Sequence, residues 1–147
     1  MHPFDPQSVL LAKHAQHVVL IHFPIALYIA GVFFDLLSRG KKTSAFASAA
    51  YFNFSLAALS TIPVIATGLL AWRFALEGQK LKGVLLLHLL FGLVTSLLIA
   101  VSWWAHRQAR QTATELLPSY RLAVEALGVC LVGLTGHLGG FLTGVNT

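Results

Sequence analysis

Four long apolar runs, at about residues 18–37, 45–72, 83–105 and 122–145, constrain this chain more than any other feature. The hydrocarbon core of a bilayer is about 30 Å thick and is crossed by about 20 apolar residues in helical form, so each run is long enough to span. Lipid offers no partner for backbone N–H and C=O groups, which leaves helices as the way to cross with runs of this length. The connections between runs are short, and consecutive spans must therefore return antiparallel to one another. An all-α integral membrane protein is predicted, a single antiparallel four-helix bundle with no linker long enough to divide it. Pro63 in the long second run lacks a backbone donor and predicts a kink there.

Composition adds exclusions. The chain is 56% hydrophobic and 10% charged, against about 25% charged residues in soluble domains, too few polar groups to cover a globule in water. Cys130 is the sole cysteine, which excludes an internal disulfide, a Cys-x-x-Cys-His haem attachment and a cysteine-held iron–sulfur cluster. Several other chemistries fail for want of parts: a Walker glycine loop, a His-Glu-x-x-His helix, a serine–histidine–acid set and paired carboxylates at one depth. A small transporter is disfavoured because no acidic residue falls at the midplane.

The positive charges give an orientation. Arg39, Lys41, Lys42, Arg107, Arg110 and Arg121 flank one face, and Lys13, Arg73, Lys80 and Lys82 the other, a division of six against four. Cytoplasmic loops retain the excess of Lys and Arg, so both termini are expected outside. Residues 1–13 make a poor signal peptide, and the first helix is expected to stay. Loops beside lipid account for this basicity, so membrane lipid is the expected partner and nucleic acid is not. Trp72, Trp103 and Trp104 fall at helix ends, as interfacial anchors do. Asp35 is placed to pair with Arg39 four residues on, and His106 beside Arg107 reads as an interfacial side chain.

Ionisable side chains inside the hydrocarbon mark functional sites or buried partners. Threading the chain up and down places His22, His88 and His137 about 6, 8 and 11 Å below the same outer surface at 1.5 Å per residue. Thr67 and Gly68 of the second run reach that layer, and His17 sits at its edge. On the third run His88 is followed by Gly92, Thr95 and Ser96; on the fourth His137 shares a stripe with Gly133, Gly140 and Gly144, with Gly136 beside it. Small residues permit close helix contact, or let a flat group lie against the backbone. Neutral imidazoles on facing helices can hold haem iron from both sides of a porphyrin. Arg73, Lys82, Lys80 and Lys13 lie on the side where haem propionates would need cations. Three readings stay open for the trio: b-type haem, a non-haem metal, and structural hydrogen bonding alone. His14 reads as part of a solvated amphipathic segment before the first helix.

The string His17-Val-Val-Leu-Ile-His22-Phe23-Pro24-Ile25-Ala26-Leu27 resembles the opening His-Pro-x-x-x-His-Phe-Pro-Ile-Ala-Leu pattern of a bacterial four-helix membrane family catalogued as domain of unknown function 2231. Phe34-Asp35-Leu36, Ala66-Thr67-Gly68-Leu69, the early His88 and Gly136-His137-Leu138-Gly139-Gly140 extend the resemblance over most of the chain. Val18 stands where the family pattern has proline, and a histidine at His137 is not expected in every member, which favours His22 and His88 as shared ligands. Relatives fused to Rieske-type iron–sulfur domains imply electron transfer near a membrane. By analogy the resemblance places the chain in a bacterial inner membrane, multi-pass.

Together these expectations describe a b-type haem subunit transferring electrons at the outer side, more an electron-transfer subunit than a stand-alone enzyme. It would carry at most one haem per chain, ligated by His22 and His88 with His137 competing. Its expected partners are a larger respiratory or photosynthetic complex, a quinone, or further copies of itself. The alternative is a cofactor-free structural or assembly subunit of such a complex.

Overall fold

The computed structural model describes residues 13–40, 44–112 and 118–143. Residues 1–12, Lys41, Lys42, Gly144, Val145 and the side chains of Lys13 and His14 lie outside the described residues, and the expectations placed on them stay expectations. Among the described residues there are five helices: α1 (Lys13–Leu20), α2 (His22–Gly40), α3 (Ser44–Phe74), α4 (Gly83–Gln111) and α5 (Arg121–Leu142). α1 and α2 together make the first apolar span, Ala15–Arg39, and α3, α4 and α5 make the other three.

The first span is interrupted at Ile21, whereas the helix of the second is continuous through Pro63. Pro24 has no N–H to give the carbonyl of Leu20, and its ring crowds that carbonyl. The helix accordingly breaks at Ile21, bridged by Ile21 N–H donating to His17 O at 3.0 Å and a stretched Ile25 N–H to Ile21 O at 3.4 Å. α3 runs through Pro63 as one 31-residue helix. Thr67 returns its hydroxyl to Pro63 O at 2.8 Å, supplying a polar contact one turn beyond the proline.

α2 packs chiefly on α3, and α4 on α5, so the bundle is two hairpins laid together, with α1 against α3. Its centre is Tyr28, Ala50, Phe54, Ala57, Ile99 and Val132. Lipid tails are as apolar as these side chains, so their burial gains little by transfer, and tight packing and interhelical hydrogen bonds hold the bundle instead. Gly31 illustrates the packing: a Cβ there would stand 2.9 Å from the Phe54 ring, so glycine lets α2 and α3 approach. Leu59, Ile62 and Leu97 face outward and are 62 to 65% exposed, an apolar surface suited to acyl chains.

The α3–α4 connection is fixed at its start. Glu77 and Gly78 take positive φ (52° and 65°), Gly78 N–H donates to Trp72 O at 3.0 Å, and Trp72 Nε1–H donates to Gln79 O at 2.9 Å. At the opposite end α4 continues past Ala105 to Gln111. Its cationic side chains there lie over aromatic rings, Arg107 5.3 Å from the Trp103 centroid and Arg110 4.6 Å from that of Tyr51. Such stacking keeps the charged heads near water while their stems cover apolar surface.

Candidate functional site

The up-and-down threading brings the start of α1, the end of α3, the start of α4 and the end of α5 to one end of the bundle. The imidazoles that meet there are His17 and His88, from α1 and α4. Their ring centroids are 6.3 Å apart with planes at 88°. The Thr67 hydroxyl proton is engaged by the carbonyls of Pro63 and Val64, so Thr67 Oγ1 accepts from His17 Nδ1–H at 3.3 Å. His88 Nδ1–H donates to the carbonyl of Thr135 at 3.0 Å. Both neutral rings therefore carry their lone pair on Nε2, a tautomer assigned from the hydrogen-bond partners.

Glycines seat the two rings. A Cβ on Gly68 would lie 3.0 Å from His17 Cε1, and one on Gly139 3.2 Å from His88 Cε1. Beside His88 is a cavity of about 70 Å³, lined in part by Gly92, Thr95, Ser96, Thr135 and Gly136. The rest of its lining is mainly apolar, with Ile21, Ile25, Val64, Ile99 and Val132.

The structure thus brings His88, Thr67, Gly68, Gly92 and Gly136 to one end together with His17, the residue set at the edge of the layer. It does not bring His22 to His88. His22 lies about 140° round the helix from His17 and is exposed, with Nδ1–H donating to Val18 O at 2.7 Å. His137 is also on the outer surface, its ring edge-on to Phe141 at 4.9 Å. The carbonyl of Gly140 accepts from the Thr143 hydroxyl at 3.0 Å at the end of α5. Arg73 and Lys82 are exposed at this same end, Arg73 lying 5.8 Å over the Phe74 ring.

A second polar site, at the other end, was not foreseen. Asp35 of α2, His106 of α4 and Glu125 of α5 are only 1, 4 and 1% exposed. His106 Nε2 is 3.1 Å from Glu125 Oε1 and 3.8 Å from Asp35 Oδ1. Arg121, itself buried, donates from Nε to Asp35 Oδ2 at 3.1 Å. Phe54 closes the inner side with its ring 4.7 Å from that of His106. Asp35 Oδ1 and Glu125 Oε2 are buried with no hydrogen-bond partner among the described residues.

Three expectations are corrected here. Asp35 pairs with Arg121, not with Arg39 one turn away, because its side chain faces the bundle and Arg39 faces outward. His106 is a core residue and not an interfacial one, held between Phe54 and Glu125. Paired carboxylates at one depth do exist, Asp35 and Glu125, with the His106 imidazole between them. Counted from the helix ends, Asp35 lies five residues before the end of α2, His106 five before the end of α4 and Glu125 four after the start of α5. Each is therefore about 6 to 8 Å inside the same surface. The apolar-run bounds hid this, since the third run stopped at residue 105 and left His106 outside it.

Comparison with curated proteins and with solved structures found no match. Residues 13–145, which hold the five described helices and both polar sites, match the model of the family described as "Predicted membrane protein (DUF2231)". This four-span helical bundle therefore belongs to the DUF2231 family of membrane proteins.

Proposed function

We propose that the chain is a b-type haem-binding membrane subunit that transfers electrons at the outer side of a bacterial inner membrane, with both termini on that side. His17 and His88 are the pair that would hold the iron. The observation that carries this reading is that each imidazole has Nδ1 within hydrogen-bond distance of an oxygen of the chain, Thr67 Oγ1 at 3.3 Å and Thr135 O at 3.0 Å, the arrangement that assigns Nε2 as the basic atom. Metal-ligating histidines are oriented in this way, by donating their other N–H to a carbonyl or side-chain acceptor.

The haem, when bound, would supply one-electron redox chemistry. The chain's own part is to bind and orient. Thr67 and the Thr135 carbonyl fix the two rings, Gly68 and Gly139 allow backbone to lie against them, and Arg73 and Lys82 provide cations at that end for carboxylates. A quinone or a partner subunit at the outer surface would be the electron donor or acceptor.

The test is a reduced-minus-oxidised absorption spectrum of the purified, tag-free chain. A low-spin haem signal lost in both H17A and H88A is expected. Colourless, folded protein would remove the reading.

One observation favours a second reading, a cofactor-free structural or assembly subunit. The cavity beside His88 is about 70 Å³, too small for a porphyrin, and the same two hydrogen bonds could simply lock α1 to α3 and α4 to α5. That reading expects no absorption above the aromatic band and stable co-purification with a larger membrane complex.

A further inference from the structure

We propose that Asp35, His106 and Glu125 bind one divalent first-row transition-metal ion, of the Mn²⁺, Fe²⁺ or Zn²⁺ class, at the end of the bundle away from the imidazole pair. The inference does not depend on the haem reading, since it concerns different residues and a different surface.

The donor atoms already converge. One ligand atom from each of the three residues lies within 4.8 Å of the others, and three helices supply them, so the bundle itself sets their positions. Metal–oxygen and metal–nitrogen bonds of about 2.0–2.2 Å place neighbouring donors about 2.8–3.1 Å apart in octahedral and about 3.3–3.6 Å apart in tetrahedral geometry. His106 Nε2 to Glu125 Oε1 is 3.1 Å, inside the octahedral range. His106 Nε2 to Asp35 Oδ1 is 3.8 Å, which a small contraction brings in.

Unpartnered atoms point to a guest. Asp35 Oδ1 and Glu125 Oε2 are buried with no hydrogen-bond partner among the described residues, and Asp35 Oδ1 is directed at the His106 imidazole. Buried carboxylate oxygens are costly to leave unmet. With a neutral imidazole the two carboxylates outnumber the single guanidinium by one charge, so the group as it stands calls for a cation. Arg121 engages only Oδ2 of Asp35, which orients the carboxylate and leaves Oδ1 turned toward the site, the part that outer-shell residues play in metal centres.

The donor set selects the class of ion. One imidazole nitrogen among carboxylate oxygens suits Mn²⁺, Fe²⁺ and Zn²⁺ better than Mg²⁺ or Ca²⁺, which take oxygen alone. Phe54 seals the side facing the hydrophobic core, and the group sits about 6 to 8 Å from the helix ends, within reach of an ion from the aqueous face.

The test uses the full, tag-free chain in detergent, stripped with a chelator and titrated with Mn²⁺ followed by electron paramagnetic resonance, and with Co²⁺ followed by its visible bands. One ion per chain is expected, with affinity reduced at least roughly 10–100-fold in E125Q and H106Q and unchanged in H17Q. Circular dichroism identifies the variants that are folded. No ion bound, equal affinity in folded E125Q and H106Q, or loss of the ion in H17Q alone would each overturn the proposal. Should the variants not fold, pulsed resonance of the Mn²⁺-loaded wild type decides: coupling to one imidazole nitrogen supports the site, and coupling to none or two overturns it.

Discussion

Tyr28 of α2 passes directly beneath Gly128 of α5 to reach Ser102 of α4. A Cβ on Gly128 would collide with the phenol oxygen and lie 2.7 Å from Tyr28 Cε1, and the phenol pairs with Ser102 Oγ at 3.1 Å. One hydrogen bond and one missing methyl thus join helices from both hairpins. Gly128→Ala should cost about 1–3 kcal/mol, the penalty of overpacking a tight core. Gly136→Ala, where a Cβ meets nothing within 4 Å, should be neutral or stabilising by up to about 1 kcal/mol through helix propensity. Reversible unfolding in mixed micelles would measure both.

Arg121 and Asp35 should be strongly coupled. Arg121→Gln leaves a buried carboxylate without its guanidinium, and breaking such a pair costs about 3–5 kcal/mol. Adding Asp35→Asn removes the orphaned charge and should restore much of the loss. A double-mutant cycle gives the coupling directly, and additive costs would show that the two side chains do not act as a pair.

If haem is bound, its stoichiometry should not exceed one per chain. His106, the intramembrane histidine of the other end, stands alone there among the described residues and is engaged by Glu125. H22A and H137A should retain the low-spin spectrum, while Gly68→Ala, which pushes on His17, should weaken it. Pyridine haemochrome titration against protein concentration checks the count.

The helix break at Ile21 is testable by distance. Pro24→Ala restores a backbone donor opposite Leu20 O and should let α1 and α2 run as one straighter helix, drawing His17 away from His88. Spin labels at the exposed Val19 and Leu36, in a Cys130→Ser background, should move apart in double electron–electron resonance. An unchanged distance would show that packing of α1 on α3 sets the bend, not the proline.

The four spans were legible because hydrophobic length is a local property, readable without knowing what packs against what. So was the layer of polar and small residues at the histidine end, since depth follows from residue counting along each helix. Which imidazoles meet was not. That depends on azimuth round the first span: His17 and His22 are five residues apart, about 140° round a helix, so only one of them can face α4. The Asp35–His106–Glu125–Arg121 group escaped notice for a different reason. Each member sits near the end of an apolar run, where a charge is ordinarily interfacial, and only their common facing direction separates them from snorkelling side chains. On α5, Glu125 shares its stripe with the buried Gly128 and Val132, a periodic signal present in the sequence.

The pairing of Asp35 with Arg121 spans 86 positions of chain, which gives it a meaning during biosynthesis. At roughly 5–20 residues per second, the guanidinium is made roughly 4–17 s after the carboxylate it will neutralise. Throughout that interval the first hairpin carries an acid whose counter-charge has yet to leave the ribosome. A chain truncated before Arg121 keeps that acid unneutralised near the hydrocarbon boundary, where charge is expensive. Truncated products are therefore expected to seat poorly in the bilayer and to be cleared, so that the ion pair doubles as a record that translation has reached the fourth span.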